Sequence, residues 1–253
     1  MAFDIPAEAY DRFMGRYSTL LAGPFADFAG VRGGQRALDV GCGPGALTAE
    51  LVRRLGAGAV AAVDPSPSFV QAAQQRYPQV DVRDASAEHL PFPDDAVDVA
   101  LAQLVVHFMS DPLVGLGEMG RVVRRGGVVA ACVWDFAGER SPLSVFWSAA
   151  REIDPDVRDE SLLAGAHEGG LSELFEAVGF GGVEEVPVEI SVQHDDFEEW
   201  WTPYTGGVGP AGFYFASLAP EEQDALRELC RTILPDGPFT LVSRAWAARG
   251  VVA

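Results

Sequence analysis

Gly41, Cys42, Gly43, Pro44 and Gly45 follow directly on a short apolar run, Ala37-Leu38-Asp39-Val40, and precede a helix-like stretch from about 46 to 55. Glycine at every second position lets the backbone take angles barred to other residues. Without side chains, such a bend also lets a ligand come close to the backbone. At the carboxyl end of a sheet strand this is a binding feature, because open α/β sheets take their ligands there. A second apolar run, Val60 to Val63, ends at Asp64. A carboxylate in that position can accept hydrogen bonds from both hydroxyls of a ribose, each charge-assisted bond contributing about 1.5–3 kcal/mol. A third run, Val80-Asp81-Val82, is followed by Asp84-Ala85, where an Asp can accept from the amino group of an adenine. Each feature alone is a weak signal, since an Asp at a strand end more often caps a helix or shapes a turn. The order carries the force: a glycine bend, then an acid, then another acid, after three successive strands.

These residues need a frame to hold them. Short apolar runs alternate with longer amphipathic stretches, with helices expected at about 67 to 76 and 112 to 124. A fourth strand is expected from Val97 to Leu101 and a fifth from Val128 to Trp134, just after Gly126-Gly127. Strand–helix repetition with unbroken apolar strands implies a parallel sheet covered on both faces. Before it, residues 1 to about 34 read as helical, with Phe13, Tyr17, Leu20, Leu21, Phe25 and Phe28 at helix-like spacings and Gly33-Gly34 closing the segment. After Trp134 the rhythm changes. Helices are expected at Leu143 to Glu152, Leu171 to Val178 and about 220 to 234. Val183 to Val192 alternates as a half-exposed strand does, and Phe239 to Trp246 is a last strand. The division this suggests is a helical cover (1–34), a core (35–134), a lid insertion (135–169), a continuation of the core (170–192), an aromatic-rich lid insertion (193–237), and a final core strand with its tail (238–253).

The stretch ALDVGCGPGALTAEL resembles motif I of the class I S-adenosylmethionine-dependent methyltransferases. VDPS at 63–66 resembles their second motif, and DASAEHLPFPDDAVDVALAQLVVHF at 84–108 their third and fourth blocks. RVVRRGGVVAACVW at 121–134 resembles the block that runs through strand five. The pattern is similar to the small-molecule branch that includes the ubiquinone/menaquinone-type methyltransferases, and it covers roughly residues 35–135; the tail matches no pattern. The resemblance implies a doubly wound, Rossmann-like α/β fold. Its mostly parallel seven-stranded sheet would carry helices on both faces and a partly helical lid. It also implies S-adenosyl-L-methionine as cofactor. Gly41, Cys42, Gly43 and Gly45 would line its methionine part, and Asp39 would hold its amino group. Asp64 would take the ribose hydroxyls, with Pro65 and Ser66 shaping the adenine edge. Asp84 and Ala85 would contact the adenine, and Gln103 would face the methionine moiety. YDRFMGRYS at the N-terminus resembles segments that lie over the cofactor, which would let Arg16 pair with the methionine carboxylate.

Methyl transfer from a sulfonium needs alignment and a dry site more than a metal, and no clustered metal-ligand pattern is present. Where the acceptor must lose a proton, His107 stands nearest the expected methyl group. Its ordinary pKa, about 6.5, suits proton uptake near neutrality. The bland alternative is a hydrogen bond within its loop. His89 reads as a turn residue, and His167 and His194 lie outside the matched region. Aromatic rings that could line the acceptor site are Tyr10, Tyr17, Trp134, Phe136, Trp200, Trp201, Tyr204, Phe213 and Tyr214. Most of these are expected to be lid core, with two or three touching substrate.

Composition narrows the partners. The net charge is −19 and every one of the 18 basic residues is Arg, so the chain repels a phosphate backbone and no nucleic-acid partner is expected. Three widely spaced cysteines form neither a disulfide framework nor a zinc spacing. The acidic N-terminus is not a signal peptide, and no apolar run is long enough to cross a membrane. The expectation is a cytoplasmic protein with a small-molecule methyl acceptor and no membrane partner, and a homodimer is compatible with it. Two other readings use the same glycine bend. A nicotinamide-dependent oxidoreductase wants GxGxxG where this chain has GxGxG followed by Ala46, and it commonly wants a catalytic Lys that is absent here. A non-catalytic cofactor-binding protein is the second, since fold does not fix function.

Overall fold

The structure is a computed structural model that describes residues 6–253; the first five residues of the expected helical cover lie outside the described residues. In chain order its elements are helices α1 (Ala7–Tyr10) and α2 (Arg16–Phe28), joined by a π-helical turn at Asp11–Gly15, then β1 (Ala37–Val40), α3 (Ala46–Leu55), β2 (Val60–Asp64), α4 (Pro67–Arg76), β3 (Asp81–Asp84), β4 (Val97–Gln103), α5 (Pro112–Val122), β5 (Val123–Trp134), α6 (Ser144–Ile153), α7 (Gly170–Val178), β6 (Gly181–His194), α8 (Phe197–Trp201), α9 (Gly209–Ser217), α10 (Pro220–Ile233) and β7 (Phe239–Val251).

The seven strands form one sheet in the order β3-β2-β1-β4-β5-β7-β6. β1 pairs in parallel with both β2 and β4, so the winding reverses at β1 and opens a crevice beyond its carboxyl end. All four residues of β1 are buried, as a strand covered on both faces requires. β7 runs antiparallel to β5 and β6. Along the second half of β6 every other residue is buried, the pattern of an edge strand with one face on the core, and Pro187 is tolerated there for the same reason.

Local chemistry sets the starts of the helices that point at the crevice. Gly45, at φ +104°, bends the chain into α3. Pro67 begins α4, where its missing N–H has no intrahelical partner to lose. The Asp111 side chain caps α5 by accepting from the backbone N–H groups of Leu113 and Val114.

Strands β4, β6 and β7 extend beyond their expected ends, and three further boundaries differ for a local reason. The N-terminal cover stops being helical at Phe28, before Gly33-Gly34. β3 begins at Asp81, because Val80 closes a turn by donating its N–H to the Tyr77 carbonyl at 2.9 Å. β5 begins at Val123, with Gly126-Gly127 inside it. A Cβ on Gly127 would lie 2.6 Å from the Asp98 carbonyl oxygen. The glycines therefore mark a close backbone approach and a register irregularity against β4, inside the strand and not before its start.

The N-terminal helices cross the crevice and are tied down on its far side. Tyr17 Oη lies 3.0 Å from His194 Nε2 at the end of β6, and the His194 ring stacks on Phe239. Behind this latch, Phe146, Trp200, Trp201 and Tyr204 form a ring cluster. Phe146 and Tyr204 lie parallel at 4.8 Å, and Phe13 meets Tyr204 edge-on at 5.3 Å.

Candidate active site

Three cavities meet at the carboxyl ends of β1, β2 and β4, and Tyr10 lines all of them. The largest, of about 200 Å³, is walled by Gly41, Gly43, Asp64, Pro65, Ser66 and Phe69 on one side, and by the 86–88 and 103–110 segments on the other. A second, of about 30 Å³, lies over the glycine bend and the start of α3, with Asp39, Cys42, Ala46 and Gln103 in its wall. A third, of about 40 Å³, is almost wholly apolar and is bounded by Phe13, Met14, His107, Trp134, Phe136 and Glu160. Leu104 lines both the first and the third; its φ is +62°. A branched residue held in that region is strained, and such residues gather at functional sites.

Asp64 organises the first cavity. One carboxylate oxygen accepts from the Gly43 N–H at 2.8 Å and the other from the Ser66 N–H at 2.8 Å. An ionised carboxylate has room for about four hydrogen bonds, so acceptor capacity remains on both oxygens. Burial, opposed by these two backbone donors and assisted by the charge of Asp84, raises its pKa to about 6. Asp39 is buried and accepts from Thr48 Oγ1 at 2.6 Å. Burial, opposed by Thr48 and assisted by the Asp64 charge, raises its pKa to about 7. Gln103 Nε2 donates to the Ser18 carbonyl at 3.0 Å, while its Oε1 is buried with no hydrogen-bond partner among the described residues.

The glycines divide their work. A Cβ on Gly41 would lie 2.4 Å from Val105, and one on Gly45 2.5 Å from the Tyr77 ring. A Cβ on Gly43 would meet nothing within 4 Å, because it would stand in the open cavity.

This frame can be set beside known proteins. The family described as a methyltransferase domain matches residues 38–131. A probable S-adenosylmethionine-dependent methyltransferase of Mycolicibacterium smegmatis is 30% identical over 183 residues, which cover 66% of this chain and 68% of that protein. The chain belongs to the S-adenosylmethionine-dependent methyltransferases. A demethylmenaquinone methyltransferase of Lysinibacillus sphaericus is 36% identical over 103 residues, covering 39% of this chain and 44% of that one. The chain spans between 33% and 42% of the length of several curated relatives it matches. The fold is shared with the geranyl diphosphate C-methyltransferase of Streptomyces coelicolor A3(2). The TM-score is 0.53 at 17% identity, over 94% of this chain and 80% of that one.

In this chain the expected site residues fall into two groups. Asp39, Gly41, Cys42, Gly43, Asp64, Pro65, Ser66 and Gln103 come together around the first two cavities. Gly45, Asp84, Ala85 and Arg16 do not line them. Gly45 packs under Tyr77 and starts the helix. Asp84 is exposed because β3 runs on to it, in register with Asp64, and the chain turns in only after the Ala85 N–H bonds to the Asp64 carbonyl at 3.2 Å. Ser86, Ala87 and Glu88 form that wall in their place. Arg16 faces the other way and is held by Glu199 at 3.0 Å and by the Gln193 carbonyl at 3.1 Å. The expected pairing with a cofactor carboxylate is replaced by an ordinary, part-exposed ion pair within the protein.

His107 lines the apolar cavity, but burial lowers its pKa to about 3, away from the neutral range expected for it. Its Nδ1 has no partner among the described residues, so the expected hydrogen bond within the loop is not formed from that atom. Of the nine aromatic candidates, Tyr10, Trp134 and Phe136 line the apolar cavity. Trp200, Trp201 and Tyr204 are lid core, and Phe213 is half exposed. Sequence reasoning missed Leu104, whose backbone angle no pattern announces, and Glu160, a lone acid in an unmatched segment.

Proposed function

We propose that this chain transfers a methyl group from S-adenosyl-L-methionine to a small molecule held in the apolar cavity. The observation that carries the reading is the junction of three cavities at Tyr10, two carrying the polar groups of Asp64, Ser66, Asp39 and Gln103 that suit the cofactor and one almost wholly apolar. The residues fit the cofactor: Asp64 has acceptor capacity for two ribose hydroxyls, and the unpartnered Gln103 Oε1 and the carboxyl of Asp39 suit an ammonium group. The N-terminus of α3, whose Ala46 and Leu47 line the second cavity, suits a carboxylate. When bound, the cofactor supplies an electrophilic methyl group on a cationic sulfur. Tyr10, whose phenol is held well above its usual range by burial and then by the charges of Asp64 and Asp11, stays neutral between the cavities. Leu104 and Phe108 stand between the first cavity and the apolar one, and aromatic walls keep water from the reacting atoms. His107, neutral at physiological pH, contributes shape to that wall and carries no charge. We also infer a reducing compartment such as the cytoplasm, supported by three free, buried cysteines.

Calorimetric titration with S-adenosylhomocysteine and with NADH tests the reading. The expected result is binding of the first and none of the second. Asp64→Ala should weaken the first by about 2–4 kcal/mol, the loss of two charge-assisted bonds. A change under about twofold in the folded variant removes Asp64 from the site, and binding of NADH alone overturns the reading.

A further inference from the structure

The apolar cavity holds one acidic side chain that the proposed transfer leaves unused. Glu160 lies in the loop between α6 and α7 and is 3% exposed. One carboxyl oxygen accepts from Trp147 Nε1 at 2.5 Å. Among the described residues the carboxyl has no second hydrogen bond and no ion pair; the neighbouring Asp159 is taken by Arg151. An isolated acid in an apolar setting is costly unless something satisfies it. Burial and, more weakly, Asp159 raise its pKa to about 8 against the Trp147 bond, as expected where the protein itself supplies no cation.

The surroundings say what would satisfy it. Phe13, Trp134 and Phe136 present flat, apolar walls. The wall residues His107 and Trp134 each keep a buried ring nitrogen without a partner among the described residues. The chamber is small, so it suits one ring more than a fused system. We propose that Glu160 anchors the acceptor by accepting a hydrogen bond from a hydroxyl on an aromatic ring, making the substrate class phenolic. A protonated amine would also be drawn to the carboxylate, but it lacks the lone pair that receives a methyl group, and its hydration would be lost against apolar walls. The inference rests on the reading of this chamber as the acceptor site. It predicts that substrates lacking the hydroxyl are rejected, because the site's own acceptor would then be left unpaired.

The test is ¹⁹F NMR titration of the full chain saturated with S-adenosylhomocysteine, using 4-fluorophenol and its near-isostere 4-fluorotoluene, with 4-fluorobenzylamine as a third probe. The expected result is at least about fivefold tighter binding of the phenol. Glu160→Leu should reduce that preference to below about twofold while leaving S-adenosylhomocysteine affinity unchanged, since Glu160 lines neither polar cavity. Should Glu160→Leu fail to fold with Trp147 left unpaired, Glu160→Gln, which keeps an acceptor for Trp147, should lower phenol affinity about threefold. Equal binding of phenol and toluene, tighter binding of the amine, or a preference that survives both substitutions overturns the proposal. Failure of the chain to bind S-adenosylhomocysteine at all is a different result and overturns the cofactor reading beneath it.

Discussion

Asp39 shows how much one side chain's surroundings can reset its behaviour. Burial raises its carboxyl pKa from the ordinary 3.8 to about 7. Burial raises that of Asp64 from the same value to about 6. The folded chain therefore binds these protons more tightly than the unfolded chain does. Stability from these two groups is present at low pH and lost as pH rises from about 4 to about 7. Ligand binding runs the other way. An ammonium group at Asp39 needs the carboxylate, so affinity for S-adenosylhomocysteine should rise with pH through the window from about 6 to 7. Calorimetry across that window checks this, and Asp39→Asn should flatten the Asp39 part of the profile. A profile equally steep in the variant would assign the proton elsewhere. At this scale the sequence was informative where a residue's place on the backbone decides its role. Asp39 and Asp64 sit on strands that an apolar run announces. Arg16, Asp84 and Glu160 were not legible, because their roles depend on where a loop or helix turns its side chains after folding.

The glycine bend is the element on which the geometry rests, and its members should fail differently. Gly41 has φ +71° and a Val105 methyl 2.4 Å from where a Cβ would stand. Gly41→Ala should therefore lower folding stability by about 1–3 kcal/mol, read from denaturant unfolding. Gly43 has φ +54° but open space around it. Gly43→Val should leave a folded protein that no longer binds S-adenosylhomocysteine, because its branches fill the first cavity. Unchanged affinity in that variant would put the ligand elsewhere. The strands that frame the bend were legible from their apolar runs. The start of β5 was not, since Gly126-Gly127 carries the composition of a turn while serving the close approach of Asp98. β3 slipped for a related reason: Val80 looks like a strand residue, yet its N–H closes a turn.

Across the whole molecule, the N-terminal helices close over the crevice and are anchored at the far edge of the sheet. They supply Tyr10 to all three cavities of the site and are fastened by Tyr17 to His194 on β6, the strand at that edge. Tyr17→Phe keeps the ring but loses the hydroxyl. It should cost about 1 kcal/mol in thermal unfolding and leave the buried His194 ring nitrogen short of a partner. No loss would show that the latch contributes nothing to the closed form. The doubly wound half of the architecture could be read from strand–helix rhythm. The latch could not, because it joins residues far apart in sequence that share no pattern. The account is tested most directly by a crystal structure of the chain with S-adenosylhomocysteine. It predicts both ribose hydroxyls on the Asp64 carboxylate, the sulfur beside Tyr10, and the apolar chamber opening next to it. A ligand seated away from Asp64, or a first cavity still closed by the protein's own side chains, would contradict it.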